Sequence, residues 1–152
     1  HLPEGHLATT RRRQGLERAC REAGLDPDSL EHCYMALGDE HYRDIPAVLL
    51  AHMQNGIPRF DAVICGNDRI AFMVYQTLLG QGLRIPDDVA VIGYDNMVGI
   101  GELFLPPLTT VQLPHYEIGR LSALHIINGE EHQETTRVES PFLLRDSVAQ
   151  AT

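Results

Sequence analysis

The sequence has 152 residues, 43% of them hydrophobic, with 21 acidic residues against 12 Lys and Arg and a formal net charge of −9. A chain of that length and apolar content builds one globular domain with a real core, which excludes a disordered segment. The acidic balance argues against a nucleic-acid-binding surface, which carries a basic stripe.

Three cysteines, Cys20, Cys33 and Cys65, are odd in number, widely spaced and without a C-x-x-C pair. Free thiols in a reducing compartment are expected, rather than a disulfide framework. No apolar run approaches the length of a membrane span. The chain opens at His1 without Met and passes through Pro3-Glu4-Gly5, so it reads as a piece cut from something larger. A leader removed earlier stays open on that evidence.

In chain order, the basic run Arg11-Arg12-Arg13 reads most simply as the exposed start of a helix. Leu16, Ala19, Cys20 and Ala23 follow at i, i+3, i+4 and i+7 and predict that helix, ended by Gly24. Residues 32–37 form a short strand candidate. Asp44, two residues before Pro46, can cap a helix through Val48, Leu49 and Met53 that Gly56 stops.

Residues 60–65, FDAVIC, have the look of a strand buried on both faces. A polar turn, Gly66-Asn67-Asp68, leads into a helix over 70–79, ended by Gly80 and Gly82. Residues 89–93, VAVIG, predict the next buried strand. Strands and helices alternating at these distances imply parallel βαβ units, so the expected class is α/β with a parallel sheet.

Beyond Asp95 the pattern changes. Residues 97–107 read as a loop or short helix, and 108–111 as a strand. Pro114 opens a helix through Ile118, Leu121, Ser122 and His125, closed by Gly129. The tail at 137–144 alternates as an edge strand, the one place where Pro141 fits.

In an open parallel sheet, ligands bind outside the carboxyl ends of the strands. Two such ends carry short polar residues directly after apolar runs: Asn67-Asp68 after Cys65, and Tyr94-Asp95-Asn96 after Gly93. Their carboxylates and amides can accept protons from a polar ligand, and Arg12 can supply donors from another direction. Charge-assisted bonds of this kind are roughly twice as strong as neutral ones. Asp68 also reads as a cap for the following helix, a role compatible with ligand contact by Asn67, and Asp95 and Asn96 read equally as turn residues.

Enzyme chemistry is not indicated. The eight histidines show no H-E-x-x-H or other metal spacing, and Glu130-Glu131-His132 lies in an expected surface turn. There is no G-x-S-x-G elbow and no phosphate-binding loop; Gly99-Ile100-Gly101 lacks a third glycine. Cys65 closes a buried strand, where an inert core thiol is expected. No cofactor or metal is called for.

Segment 60–114 narrows the reading. FDAVICGNDRIAFMVYQTLLGQGLRIPDDVAVIGYDN followed by PPLTTVQLP is similar to the C-terminal core of the LacI/GalR family of bacterial regulators. The order matters: a strand ending in Asn-Asp, a helix, GLRIPDD, a strand ending in GYDN, then P-x-L-T-T-V. Arg12-x-x-Gly15 and Leu144-Arg145-Asp146-Ser147 also fit, so nearly the whole chain is covered.

The resemblance implies several things that composition and spacing do not. The family consists of cytoplasmic homodimers or tetramers. A helix-turn-helix headpiece and hinge bind operator DNA, and a two-lobed, periplasmic-binding-protein-like domain binds a small effector in its cleft. Residues 1–152 would be part of that effector-binding domain, mostly its C-terminal lobe, with about 112–130 returning to the N-terminal lobe. The piece is then expected to sense a small polar ligand, sugar or purine-like, and to control operator binding allosterically through a headpiece that lies outside it.

By position, Arg12, Asn67 and Asp95 resemble the residues that grip sugar hydroxyls or a purine. The helix 70–79 and the loop 98–104 resemble the dimer-forming surface, with Phe72, Met73 and Phe104 at the interface; ordinary core serves Phe72 and Met73 equally. One place departs from the pattern. Sugar and purine binders of the family often carry an aromatic after Gly-Asp, whereas this chain reads Gly38-Asp39-Glu40. Glu40 cannot stack on a ring face, so either His41 or Tyr42 substitutes or the effector is of an unusual kind. The alternative from another class is a periplasmic sugar-binding protein of a transporter, which shares the two-lobe fold. GLRIPDD, LTTVQ and the unpaired cysteines favour the regulator over it, and over a sensor fused to some other output module.

Overall fold

A computed structural model describes residues 1–35, 42–97, 99–129 and 135–149. Helices α1 (Leu7–Glu22) and α2 (Ile45–Ala51) precede two short strands, β1 (Met53–Gln54) and β2 (Ile57–Pro58). Then come β3 (Ala62–Ile64), α3 (Asp68–Gly80), β4 (Ala90–Ile92), β5 (Thr110–Val111), α4 (His115–Asn128) and β6 (Phe142–Leu143).

The centre is the unit β3–α3–β4. Strands β3 and β4 are parallel, with Val63 opposite Val91. Ile92 bridges Thr109 in parallel, which sets the strand of β5 beside β4, and β6 closes the edge antiparallel to β5. The expected α/β class with a parallel sheet is what the chain forms. Pro141 sits just before β6, and Gln112 N–H donates to its carbonyl at 2.8 Å, so the proline serves an edge strand as an acceptor.

Helix α3 supplies the core because its apolar residues recur on one stripe. Ile70, Ala71, Val74, Tyr75 and Leu78 are all buried, against Val89, Val91 and Leu108. Gln81 and Gly82 end the helix, Gly82 at φ +77°. The segment that follows contains Arg84, whose guanidinium holds Asp88 with Nε at 3.0 Å and Nη2 at 2.7 Å. That ion pair keeps the Asp88 carboxyl down at about 2 and pins the turn that GLRIPDD encodes.

The structure departs from the expectations at four places. Strand β3 is buried on one face only: Ile64 is 45% exposed and Ala62 is exposed, while Cys65 is buried. A run of apolar letters does not say whether both faces are covered. Helix α1 starts at Leu7, well before its apolar spacing begins, and only Thr9 and Cys20 on it are buried. Ion pairs such as Arg18–Glu22 at 2.7 Å support its exposed turns instead. Helix α2 stops at Ala51, and Met53 begins a hairpin whose turn, Asn55-Gly56, has positive φ at both residues (53° and 78°). That dipeptide is a strong signal for a two-residue hairpin. Among the described residues, 32–35 pair with no strand, and the remainder of that candidate lies outside them.

Helix α4 runs as expected from His115 and ends on Gly129 in the left-handed region, but none of its residues is buried. Tyr116, Ile126 and Ile127 are each more than three-quarters exposed.

Candidate ligand-binding site

Because β3 and β4 run parallel, their carboxyl ends meet at one edge of the sheet. The turn after β3 brings Asn67 there and the turn after β4 brings Tyr94 and Asp95. Asn67 is the N-cap of α3: its Oδ1 accepts from Ile70 N–H at 2.8 Å, and its Nδ2 donates to the Tyr42 hydroxyl at 3.2 Å. The amide is therefore held at both ends, and its orientation at the rim is set.

Arg12 reaches the same rim from α1. Its Nη1 donates to the Gly66 carbonyl at 2.5 Å, and its guanidinium lies 3.6 Å above the centre of the Tyr94 ring. A stacked cation of this kind contributes about 0.5–2 kcal/mol. The basic run is thus divided by the helix geometry. Arg12 turns inward, Arg13 donates to the Tyr34 hydroxyl at 3.3 Å and pairs with Glu17, and Arg11 stays in solvent.

Asp95 is fastened through its backbone. Its N–H donates to Val111 carbonyl at 2.9 Å and its carbonyl accepts from Leu113 N–H at 3.2 Å, while φ is +114°. Among the described residues nothing hydrogen-bonds its carboxylate. Partial burial raises the Asp95 pKa above the ordinary carboxylate value, and the nearby Asp68 charge adds to the rise; Arg12, His115 and Arg69 oppose it. A half-buried carboxylate with open acceptor positions suits hydroxyl or N–H donors on a ligand.

Asp68 departs from its expected role. Asn67 caps the helix, and Asp68 is 1% exposed, with Oδ1 accepting from Thr110 Oγ1 at 2.8 Å and Oδ2 from Met97 N–H at 3.0 Å. Cys65 is the inert core thiol expected of it, its pKa pushed up to about 12 by burial. Glu40 and His41 lie outside the described residues. Tyr42, the third group considered at that place, does reach the rim through its bond with Asn67. Among the described residues no group of three or more His, Cys, Asp or Glu could hold a metal ion, and no helix is long and apolar enough to cross a membrane.

Comparison with known proteins gives this rim its context. Residues 1–146 match the family model described as periplasmic binding proteins and sugar binding domain of LacI family. The chain belongs to the LacI family. It is 58% identical, over 97% of its length, to sucrose operon repressors of Escherichia coli and Shigella flexneri. It is 35% identical over 91% of its length to the ribose operon repressor of Escherichia coli. A solved LacI family transcriptional regulator from Enterococcus faecium with bound ribose matches 99% of the chain and 56% of its own, with a TM-score of 0.79 at 29% identity. The chain spans 44% of the length of the sucrose operon repressors it matches.

The structure of this LacI-family chain also places the three residues expected at a dimer surface. Phe72 is 50% exposed and Met73 is partly buried, but Phe104 is buried within the chain, edge-on to Tyr75 at 4.8 Å. The exposed apolar atoms beside it belong to Leu103 and Leu105, which the sequence reading did not single out. With Phe72 and Leu79 they line a groove of about 420 Å³. Only the fold reveals which of three adjacent apolar residues points outward. Tyr94 was likewise legible as part of GYDN, but not as the ring under Arg12.

Proposed function

We propose that this chain is the effector-sensing part of a LacI-type transcriptional repressor, and that its effector is a sugar, with sucrose the first candidate. The meeting of Arg12, Asn67 and Asp95 at one sheet edge carries the reading. A cation, a fixed amide and an open carboxylate together offer the donors and acceptors that vicinal hydroxyls require. The 58% identity to sucrose operon repressors supports the choice of sugar. The repressor names among the relatives support a DNA-linked output over the transporter alternative.

In this reading the rest of the protein supplies a second lobe and a DNA-binding headpiece. Helix α4 docks on that lobe, covering Tyr116, Ile126 and Ile127. A second copy packs on the groove of Phe72, Leu79, Leu103 and Leu105, and Phe104 buttresses it from beneath. The protein works in the cytoplasm. Effector binding changes the relation of the two lobes and so the spacing of the headpieces, and its leverage is its differential affinity for the two states, typically ~1–3 kcal/mol.

Calorimetric titration of the complete protein with sucrose, glucose, fructose and ribose tests the reading, alongside operator binding with and without each sugar. Arg12→Ala and Asp95→Ala each remove a charged contact worth about 1.5–3 kcal/mol, a loss of roughly tenfold to more than a hundredfold in affinity. Unchanged affinity in both variants would show that the site lies elsewhere. Absence of binding by all four sugars would overturn the sugar reading.

A further inference from the structure

Several motifs from the sequence meet at the turn 95–97 without taking part in the ligand rim themselves: Asp68, the Thr109-Thr110 pair and Arg145. The turn is unusual. Asp95 and Asn96 are consecutive non-glycine residues at positive φ, +114° and +46°. Asn and Asp visit positive φ more readily than other residues with side chains, but two in succession, one of them at +114°, are uncommon and are held here by the contacts around them.

Two side chains of opposite charge grip the turn from either side. The Asp68 carboxylate, at the start of α3, accepts from Met97 N–H at 3.0 Å and is itself fixed by Thr110 Oγ1 at 2.8 Å. The Arg145 guanidinium, from the segment after β6, donates Nη2 to Asn96 Oδ1 at 3.1 Å and Nη1 to Leu108 carbonyl at 2.7 Å. Both charged groups are largely withdrawn from solvent: Asp68 is 1% exposed, and the Arg145 side chain 16%.

Each grip passes over a glycine. A Cβ at Gly93 would lie 2.2 Å from Asp68 Oδ1, and one at Gly101 would lie 2.8 Å from Arg145 Nη1. The chain leaves out a side chain at each of the two places where these charged groups cross the backbone. The bonds of the Asp95 backbone to Val111 and Leu113 fix the turn on its strand side. Asn96 and Met97 are held by Arg145 and Asp68.

We propose that Asp68 and Arg145 are positioning residues for the ligand rim: together they hold the 95–97 turn in its left-handed geometry and so place the Asp95 carboxylate. The role in ligand binding rests on the effector reading above; the clamp on the turn does not. Asp68→Asn keeps the shape but cannot accept at both oxygens, and Arg145→Gln cannot reach Asn96 and Leu108 together.

The test uses the complete protein in two measurements. Amide hydrogen exchange without ligand reads the clamp: both variants should speed exchange at 96–97 by roughly tenfold or more, while the Val91 amide in β4 keeps its protection. Sucrose titration reads the consequence: each variant should lose affinity about tenfold, and the loss should vanish when Asp95 is already Ala. A purely structural role would weaken binding equally with and without Asp95, and would slow-fold or loosen β4 as well. Unchanged exchange at 96–97 in both variants overturns the clamp, and equal affinity losses in the two backgrounds overturn the positioning role. If wild-type protein ignores sucrose, the choice of sucrose fails by itself, whichever of the other three sugars binds takes its place in the titration, and the exchange data decide the clamp. Should Asp68→Asn fail to fold, Arg145→Gln carries both measurements.

Discussion

Helices α3 and α4 are nearly equal in length, 13 and 14 residues, and differ in almost everything else. Seven residues of α3 are buried and none of α4 is. The first has its partners within the chain: β4, the Leu108 segment, and the polar ties of Asp68. The second carries Tyr116, Ile118, Leu124, Ile126 and Ile127 into solvent. Apolar spacing alone marks both as helices with a face to bury; it does not say whether the surface that covers the face belongs to this stretch of chain.

The comparison can be tested by substitution, beginning with the largest expected effect. Leu78→Ala, at a fully buried position of α3, should cost about 2–5 kcal/mol in denaturant unfolding of the complete protein. A cost below 1 kcal/mol, on the order of an exposed site, would show that α3 is not the core helix.

Ser147→Ala comes next. Its hydroxyl accepts from Thr109 N–H at 2.8 Å and donates to Val91 carbonyl at 2.6 Å. Losing it leaves two buried backbone groups unsatisfied, a destabilisation of about 1–3 kcal/mol. Ser147→Cys, which can place a weak donor there, should recover part of the loss in the same unfolding assay.

Helix α4 supplies the sharpest contrast. Ile126→Ser in the 152-residue chain by itself should change stability by less than ~0.5 kcal/mol. In the complete protein the same change should cost about 1.5–3 kcal/mol if the helix docks as proposed. Equal small effects in both would mean that α4 stays uncovered, and the difference between the two helices would lose its meaning.

The smallest effects are electrostatic. Asp88 is held at about 2 by Arg84, below its ordinary 3.8. Its contribution is therefore present above pH 4 and fades as pH falls through about 2, and Arg84→Gln should flatten that acid limb of a stability profile. His52 runs the other way. Its Nδ1 lies 2.6 Å from Val48 carbonyl and its Nε2 2.6 Å from Glu31, and the first contact leads in raising its pKa above 6.5. That contribution is full below pH 6.5 and is lost as pH rises through the raised value; Glu31→Gln should weaken the dependence.

The sequence was most legible where one residue type has one physical use. Asn67-Asp68 and GYDN directly after apolar strands mark the rim, and Gly80 and Gly82 mark the end of α3. Asp68 was legible as a helix-start residue but not as a buried strut, because its partners Thr110 and Met97 are 42 and 29 positions away. The Asn55-Gly56 hairpin is legible in principle, since that dipeptide favours positive φ at both positions, although Gly56 taken alone reads as a helix stop.

What this sequence determined by itself is the local grammar: which stretches are helix or strand, which turns need glycine, and which polar residues stand at strand ends. Those follow from interactions within a few residues of one another. What only the tertiary structure decided is which side of each element is covered and which side chain meets which. Arg12 over Tyr94, Arg145 on Asn96, Phe104 inward while Leu103 and Leu105 face out: each depends on contacts between segments far apart in the chain. The order of residues along a strand or helix does not encode those distances; packing does.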